Sequence, residues 1–227
     1  NGRKTLVQAL EKRGNGHFAA VPFDDFVEMA CVLTMRAFRE GEPFANLADL
    51  QYTPAQFAVG SLFPLNKRCQ VYAPAENFKT TLMLAVLMDI ATGVPSLGFP
   101  IQQDNVALMD WETDDNDATN LWHRLALGRE IAVPDILYRR CRSPIWYEAE
   151  SASGEFARPN VTACLLDSAF WACGGNPNGQ ENVGKMFEGI DSLGAMTTIL
   201  LNHTGADEAE KKRRRHYGLE HFRNAVR

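Results

Sequence analysis

The sequence predicts an α/β fold in which a mostly parallel, twisted β-sheet is flanked by helices. From residue 68 onward, short apolar runs typical of buried strands alternate with longer stretches that have helical spacing. Several of these runs end in a polar or charged residue, and the chain is 45% hydrophobic, which is enough for one large core. Continuous apolar strands that alternate with helices indicate a parallel sheet covered on both faces.

Residues 1–50 predict a small helical N-terminal segment, and residues 51–227 predict the α/β domain. The first segment could be a cap or an oligomerisation arm. Residues 46–64 contain several prolines and a glycine, and we interpret them as an irregular connection. The helical prediction depends on apolar residues that recur at helical spacing, namely Phe26, Met29, Ala30, Leu33 and Ala37.

The elements of the α/β domain follow one another in a regular order. Acidic residues at 114–117 precede the second predicted helix, where negative charge is favourable at the helix N-terminus. In a parallel sheet, ligands bind beyond the carboxyl ends of the strands, so the residues that follow each strand are the candidate functional residues. The predicted strands cover residues 69–72, 106–109, 136–139, 161–166 and 197–201, and the predicted helices cover residues 79–92, 117–127 and 181–193.

Composition excludes several classes of protein. The net charge of −5 argues against a generally basic, nucleic-acid-coating surface. The longest apolar stretch, residues 82–90, is interrupted by Asp89 and too short to cross a bilayer, and no secretory signal is visible, so we expect a cytoplasmic protein without a membrane partner. The five cysteines form no Cys-x-x-Cys pair and predict reduced packing residues rather than a disulfide or zinc framework: Cys31, Cys69, Cys141, Cys164 and Cys173.

A phosphate-binding loop is predicted directly after the first strand of the domain. Residues 73–81 have the spacing of the P-loop pattern G-x-x-x-x-G-K-[ST], in which backbone N–H groups face phosphates at a helix N-terminus. Lys79 would contact the β- and γ-phosphates, and the Thr80 hydroxyl would bind Mg²⁺. Ala73 and Phe78 replace the two glycines, which leaves the backbone geometry open. The predicted nucleotide-binding residues are Ala73, Pro74, Ala75, Glu76, Asn77, Phe78, Lys79, Thr80 and Thr81.

Three further polar residues follow predicted strands. Asp167 is predicted to hold Mg²⁺ together with Thr80, on a strand that we expect beside the loop strand. Glu112 is predicted to be the general base that activates water, with a solvated acid in an acidic turn as the alternative. His203 is predicted to sense the γ-phosphate, a role that Asn202 could share, with a structural histidine as the alternative. The ordered set carries the prediction rather than any single member.

This ordered set resembles the RecA-like ATPases of the RepA-type replicative helicases, which are common in plasmids and phages. The resemblance implies a RecA-like P-loop fold, ATP hydrolysis with Mg²⁺, and a ring, usually a hexamer, with ATP at the subunit interfaces. It also implies the cytosol of a bacterium or of a phage-infected cell. It covers roughly residues 54–227 and is carried by residues 57–64, Phe78-Lys79-Thr80, residues 91–98, Trp111-Glu112, residues 121–128 with Arg124, Asp167-Ser168 and Asn202-His203-Thr204.

Residues 217–227 are similar to a family segment that carries an arginine acting on the neighbouring subunit. The resemblance implies that Arg227 stabilises transition-state charge at the γ-phosphate bound by that neighbour, with Arg223 as the second candidate. Ala206 stands where many relatives have a lysine, and Leu219 replaces a usual serine. The family pattern places further strands after residue 227.

A basic run lies between the predicted sensor and the arginine segment. In a ring it would face single-stranded DNA and bind phosphates in a salt-dependent, sequence-independent way, whereas the alternative is a solvated loop. The predicted DNA-binding residues are Lys211, Lys212, Arg213, Arg214 and Arg215.

Three functions remain open at this point. The first is an ATP-hydrolysing motor, either a helicase or a helicase-like replication factor. The second is a weakly hydrolysing, nucleotide-dependent DNA-binding regulator or recombination mediator. The third is a metabolic P-loop kinase with Arg139, Arg140 and Arg142 as lid arginines, which the pair Asn202-His203 fits poorly.

Overall fold

The chain divides into two units, Asn1–Thr53 and Pro54–Arg227. The computed structural model describes residues 2–13, 23–40, 44–74, 76–177 and 179–203. In the first unit, helices α1 (Gly2–Arg13) and α2 (Phe23–Glu40) contact each other. The helical spacing around Phe26 and Met29 is therefore confirmed as α2, although these two side chains are exposed to solvent. No helix in the described parts of the chain is both long and apolar enough to span a membrane.

The second unit begins with an antiparallel hairpin, β1 (Phe57–Val59) and β2 (Phe63–Pro64). Our interpretation of residues 46–64 as irregular was wrong for these strands. Gly60 adopts a positive φ of 50° in the turn between them, which a glycine accommodates without steric strain. The side chains of Ala58, Val59 and Phe63 are buried in the core, and their burial stabilises strands too short to give a clear sequence pattern.

Five parallel strands form the main sheet in the spatial order β3-β7-β6-β4-β5. We had expected the strand of Asp167 beside the loop strand β3, and this was wrong because β7 lies between β3 and β6 and hydrogen-bonds to both. The strands are β3 (Arg68–Ala73), β4 (Asn105–Asp110), β5 (Leu137–Arg140), β6 (Val161–Asp167) and β7 (Thr197–His203).

Helices cover both faces of this sheet, which confirms the predicted α/β class with a parallel sheet flanked by helices. Helices α3 and α4 pack on one face, and α5, α6 and α7 pack on the other. Successive residues of β6 serve the two faces in turn, since Ala163 and Leu165 join one core cluster and Cys164 and Leu166 join the other. The helices are α3 (Lys79–Thr92), α4 (Asp115–Gly128), α5 (Ile145–Ala157), α6 (Ala169–Ala172) and α7 (Gln180–Ser192).

Helix α4 begins two residues before its predicted start because Asp114 caps it. The Asp114 carboxylate accepts hydrogen bonds from the backbone N–H groups of Asn116 and Asp117, each at 3.0 Å. This is the usual way in which an aspartate satisfies the first free amides of a helix.

Helices α5 and α6 had no counterpart in the sequence prediction. All five cysteines are free thiols; Cys31 is exposed, and burial raises the pKa of Cys69 to about 11.

Close packing of α7 against the start of α5 depends on a glycine. A Cβ atom at Gly189 would lie 2.9 Å from both the N and Cα atoms of Trp146, so a side chain there forces the two helices apart. We expect Gly189→Ala to lower the free energy of unfolding by about 1–3 kcal/mol.

Gly184 offers a matched control in the same helix, because a Cβ atom there meets nothing within 4 Å. Gly184→Ala should raise the free energy of unfolding by about 0.5–1 kcal/mol through its better helix propensity. Chemical denaturation of the two variants measures both effects, and equal values would contradict the close contact at Gly189.

Candidate active site

The five parallel strands end at one edge of the sheet, which we call the carboxyl edge, and the candidate residues lie at or after the ends of β3, β7, β6 and β4. The parallel register brings Ala73 opposite His203 and Asp110 opposite Asp167. The predicted residues of the site therefore meet at this edge although they are far apart in sequence.

The loop between β3 and α3 contains two non-glycine residues with left-handed backbone conformations. Phe78 has φ 53° and ψ 26°, in the left-handed region, and Glu76 also has a positive φ of 60°. The Phe78 side chain is 78% exposed, so it does not block the loop. A left-handed non-glycine residue costs about 1–2 kcal/mol. The loop thus carries local backbone strain at Glu76 and Phe78.

Lys79 is held at the start of α3 with 8% of its surface exposed. Its Nζ atom donates to the carbonyl oxygen of Pro74 at 2.9 Å and lies 3.2 Å from Nδ1 of His203. Burial lowers the pKa of Lys79, while the charges of Glu112 and Asp167 act in the opposite direction. The lysine therefore sits between the loop backbone and two acids, where it could donate to a bound anion.

Thr80 and Asp167, the two predicted Mg²⁺ ligands, are in direct contact. The Thr80 hydroxyl donates to Oδ2 of Asp167 at 2.6 Å, and Asp167 is 4% exposed. Burial raises the pKa of Asp167 to about 6, and the Thr80 hydrogen bond partly offsets this effect. Hydroxyl and carboxylate oxygens are ligands that suit Mg²⁺, which usually takes one or two carboxylates and completes its shell with water and phosphate. Among the described residues, no group of three or more His, Cys, Asp or Glu side chains forms a metal-binding cluster.

His203 links the lysine to the predicted general base. Its Nε2 atom lies 3.3 Å from Oε1 of Glu112, and the same Glu112 oxygen accepts a hydrogen bond from the hydroxyl of Ser168. Because a lysine ammonium can only donate, Nδ1 of His203 accepts and Nε2 carries the proton in this arrangement. Asn202, the second sensor candidate, instead accepts the backbone N–H of His203 at 2.9 Å.

Two residues at the carboxyl edge were not among the predicted site residues. Ser168 is fully buried and contacts Glu112, and Asp110 is 2% exposed and accepts backbone N–H groups of the turn that carries Glu112. Asp110 was assigned no role from its place in the sequence. Its position two residues before Glu112, at the end of an apolar strand, was the available signal, since aspartate commonly bonds to the backbone two residues on.

Several predicted residues lie outside the described part of the chain: Ala75, Thr204, Ala206, the basic residues Lys211–Arg215, Arg223 and Arg227. Arg139, one of the proposed lid arginines of a kinase, hydrogen-bonds instead to Glu148 at 3.3 Å and to Glu155 at 2.6 Å on α5. These contacts direct Arg139 toward α5 and disfavour the kinase alternative.

No protein-family model matches the chain, and no curated protein matches it either. Functional inference therefore depends on the geometry of the carboxyl edge.

Asp167 should give the stability of the fold a measurable pH dependence. Its pKa of about 6 is above the ordinary value of 3.8, so between these values the folded chain binds more protons than the unfolded chain. The contribution of this carboxyl to stability is thus present below about pH 4 and is lost as the pH rises through about 6.

The matched comparison is Asp167→Asn, which cannot titrate at this position. We expect the unfolding free energy of the original chain, measured relative to this variant, to fall by about 3 kcal/mol between about pH 4 and pH 7. Urea titrations at a series of pH values measure it. A difference that does not change with pH would contradict the buried, raised-pKa carboxyl.

Proposed function

We propose that the chain is a RecA-like P-loop ATPase that hydrolyses Mg-ATP at the carboxyl edge and acts as a DNA-associated motor. The observation that carries the proposal is the convergence of four residues at the carboxyl edge. Lys79, His203 and Glu112 form one chain of contacts, and Asp167, which is hydrogen-bonded to Thr80, lies close enough for its charge to oppose the lowering of the Lys79 pKa by burial. A lysine at a helix start, a buried acid with a hydroxyl partner, and an accessible acid that could act as a base are the groups that phosphoryl transfer to water requires.

The roles follow from the chemistry of each group. Backbone N–H groups of residues 76–80 and the ammonium of Lys79 bind the phosphates. Glu112, which is open to solvent, accepts a proton from the attacking water. At the same time the water oxygen bonds to the γ-phosphorus, and the bond between the γ-phosphorus and the β,γ-bridging oxygen breaks. When nucleotide binds, His203 gives up its contacts with Lys79 and Glu112, so that the lysine binds phosphate and the glutamate binds the attacking water. His203 then donates a hydrogen bond to the γ-phosphate.

Mg²⁺ would be held by Thr80 and, directly or through water, by Asp167, and when bound it would neutralise charge on the phosphates. The Asp167 carboxylate is the ionised form that a cation requires, so binding of Mg-ATP should weaken as the pH falls below the pKa of about 6.

The DNA-directed part of the proposal rests on the sequence. The run Lys211–Arg215 supplies five consecutive cations for backbone phosphates, and the family resemblance supplies the ring, the trans-acting Arg227 and the helicase or helicase-like role. In such a ring each ATP would contact two copies of the chain.

A second function is favoured by the loop itself. Phe78 and Glu76 hold left-handed backbone conformations without glycine, so the loop carries strain before any nucleotide binds and departs from the glycine-rich loops of the P-loop pattern. A weakly hydrolysing, nucleotide-dependent DNA-binding regulator or recombination mediator would tolerate this cost, because it needs binding and not rapid turnover.

Steady-state ATP hydrolysis with and without single-stranded DNA, at low and at high salt, separates the two functions. The motor predicts turnover that DNA stimulates and that salt suppresses. ATP binding with negligible turnover under all conditions would favour the regulator. Absence of both binding and turnover would contradict the nucleotide site as a whole.

A further inference from the structure

The carboxylate of Asp110 organises the turn that presents Glu112. Asp110 is the last residue of β4, and its Oδ1 atom accepts the backbone N–H of Glu112 at 2.9 Å and that of Thr113 at 3.0 Å. Its Oδ2 atom accepts the hydroxyl of Thr113 and lies 3.5 Å from the hydroxyl of Tyr138. Both oxygens are therefore committed to groups within the site wall, and the side chain is 2% exposed.

These bonds fix the peptide from which the Glu112 side chain projects. Glu112 follows the sheet directly and lies between β4 and α4, where no helix or strand hydrogen bonds hold its backbone. Hydrogen bonds to a charged acceptor are roughly twice as strong as neutral ones. At the other end of the residue, the Ser168 hydroxyl and His203 hold the carboxylate. The backbone of Glu112 is thus held by Asp110, and its side chain by separate partners.

We propose that Asp110 is a positioning residue for Glu112, an inference that rests on the proposed ATP hydrolysis. Asp110 is the sheet neighbour of Asp167, and its charge adds to the effect of burial in raising the pKa of that residue, but its carboxylate makes none of its described hydrogen bonds to the phosphate loop or to the predicted Mg²⁺ ligands. Its loss should therefore misplace the base without weakening the binding of nucleotide. This separates Asp110 from Lys79 and Thr80, whose loss affects binding.

Asp114 is a built-in control for this inference. Like Asp110, it accepts the backbone N–H groups of the residues two and three positions ahead. For Asp114 these are Asn116 and Asp117 at the start of α4, each at 3.0 Å. Asp110 and Asp114 thus make the same kind of local contact four residues apart, and of the two only Asp110 bonds to the Glu112 amide.

The experiment compares Asp110→Ala, Asp110→Asn and Asp114→Ala for kcat, for ATP affinity by titration calorimetry, and for thermal unfolding. Asp110→Ala should lower kcat about 100-fold, the effect of a misplacement of roughly 1 Å at a reacting group. ATP affinity should stay within about twofold, because only a transition-state interaction is lost. Asp110→Asn keeps an Oδ1 acceptor for both amides and should retain kcat within about fivefold. Asp114→Ala should unfold at a lower temperature with kcat unchanged within about twofold, since the cap supports the helix and not the base.

If Asp110→Ala does not fold, Thr113→Val serves instead, because it removes the hydroxyl that orients the Asp110 carboxylate and leaves both amides in place. It should lower kcat about tenfold, which corresponds to the loss of one hydrogen bond to a charged group, and ATP affinity should be unchanged. The inference is overturned if the original chain turns over ATP and Asp110→Ala and Thr113→Val have the same kcat as the original chain, or if kcat and ATP affinity fall together in these two variants. An original chain that shows no turnover overturns the proposed function itself, and the positioning role with it.

Discussion

Replacement of Glu112 by glutamine should lower the rate of ATP turnover by about 10²–10⁴-fold, which is the usual contribution of a general base. The amide has nearly the shape of the carboxylate and can still receive the hydrogen bond from Ser168, but it cannot accept a proton from water. ATP affinity should be retained, because the phosphate contacts belong to Lys79 and the loop. Single-turnover hydrolysis together with equilibrium titration of ATP measures both quantities.

Glu150→Gln, on the exposed surface of α5, is the control for a change of one charge and should turn over ATP at the original rate. Equal rates for Glu112→Gln and the original chain would remove Glu112 from the reaction, even if nucleotide binding is intact.

Arg129→Met should lower the free energy of unfolding by about 3–5 kcal/mol, since it leaves a buried charge without its partner. The carboxylate of Asp89 is 1% exposed and accepts Nη1 of Arg129 at 2.6 Å and the hydroxyl of Ser96, also at 2.6 Å. Nη2 of Arg129 also donates to the carbonyl oxygen of Ala85 at 2.9 Å. The pair thereby ties the C-terminal half of α3 to the residue that follows α4.

Two further variants test this second expectation. Glu181→Gln breaks the exposed pair with Lys185 on α7 and should change stability little. Asp89→Leu combined with Arg129→Met removes both charges and should be less destabilised than Arg129→Met alone. Urea-induced unfolding gives all three values, and a loss of less than about 1 kcal/mol in Arg129→Met would contradict the buried ion pair.

The sequence predicted the fold where local pattern and tertiary structure agree. Helix α3 has the predicted bounds because the apolar run of residues 82–90 lies within it and Gly93, whose positive φ is 71°, closes the helix. The buried strands β4, β6 and β7 were predicted because each is a continuous apolar run. The hairpin β1–β2 was missed because strands of three and two residues give no period to recognise.

The order of the strands could not be obtained in the same way. Neighbours in a parallel sheet are joined by crossover connections, so the residues of one strand do not record which strand lies beside it. β7 lies between β3 and β6 because residues 198–203 pair with β3 and residues 197–200 pair with β6, and this pairing is a property of the folded sheet. It also moves His203 between the loop lysine and Glu112, where it can contact both.

The candidate site was predicted where residues follow a strand or open a helix, and the residues that support them were missed. Lys79, Glu112 and Asp167 follow strands or open a helix, and the structure brings them together, while their roles remain predictions. Asp110 and Ser168 act through buried hydrogen bonds to the Glu112 turn and side chain, and a buried polar residue has no distinctive spacing in one sequence. Asp89 was visible as an acid inside an apolar run, but its partner Arg129 is 40 residues away.

Diffraction from crystals of the Glu112→Gln chain grown with Mg²⁺ and ATP tests the proposed site most directly, because this variant should bind the nucleotide without consuming it. We predict a triphosphate seated on residues 74–80, with its terminal phosphate within hydrogen-bonding distance of Lys79 and His203 and Mg²⁺ beside Thr80 and Asp167. A triphosphate bound away from the carboxyl edge, or no bound triphosphate at millimolar ATP, would contradict the proposed nucleotide site.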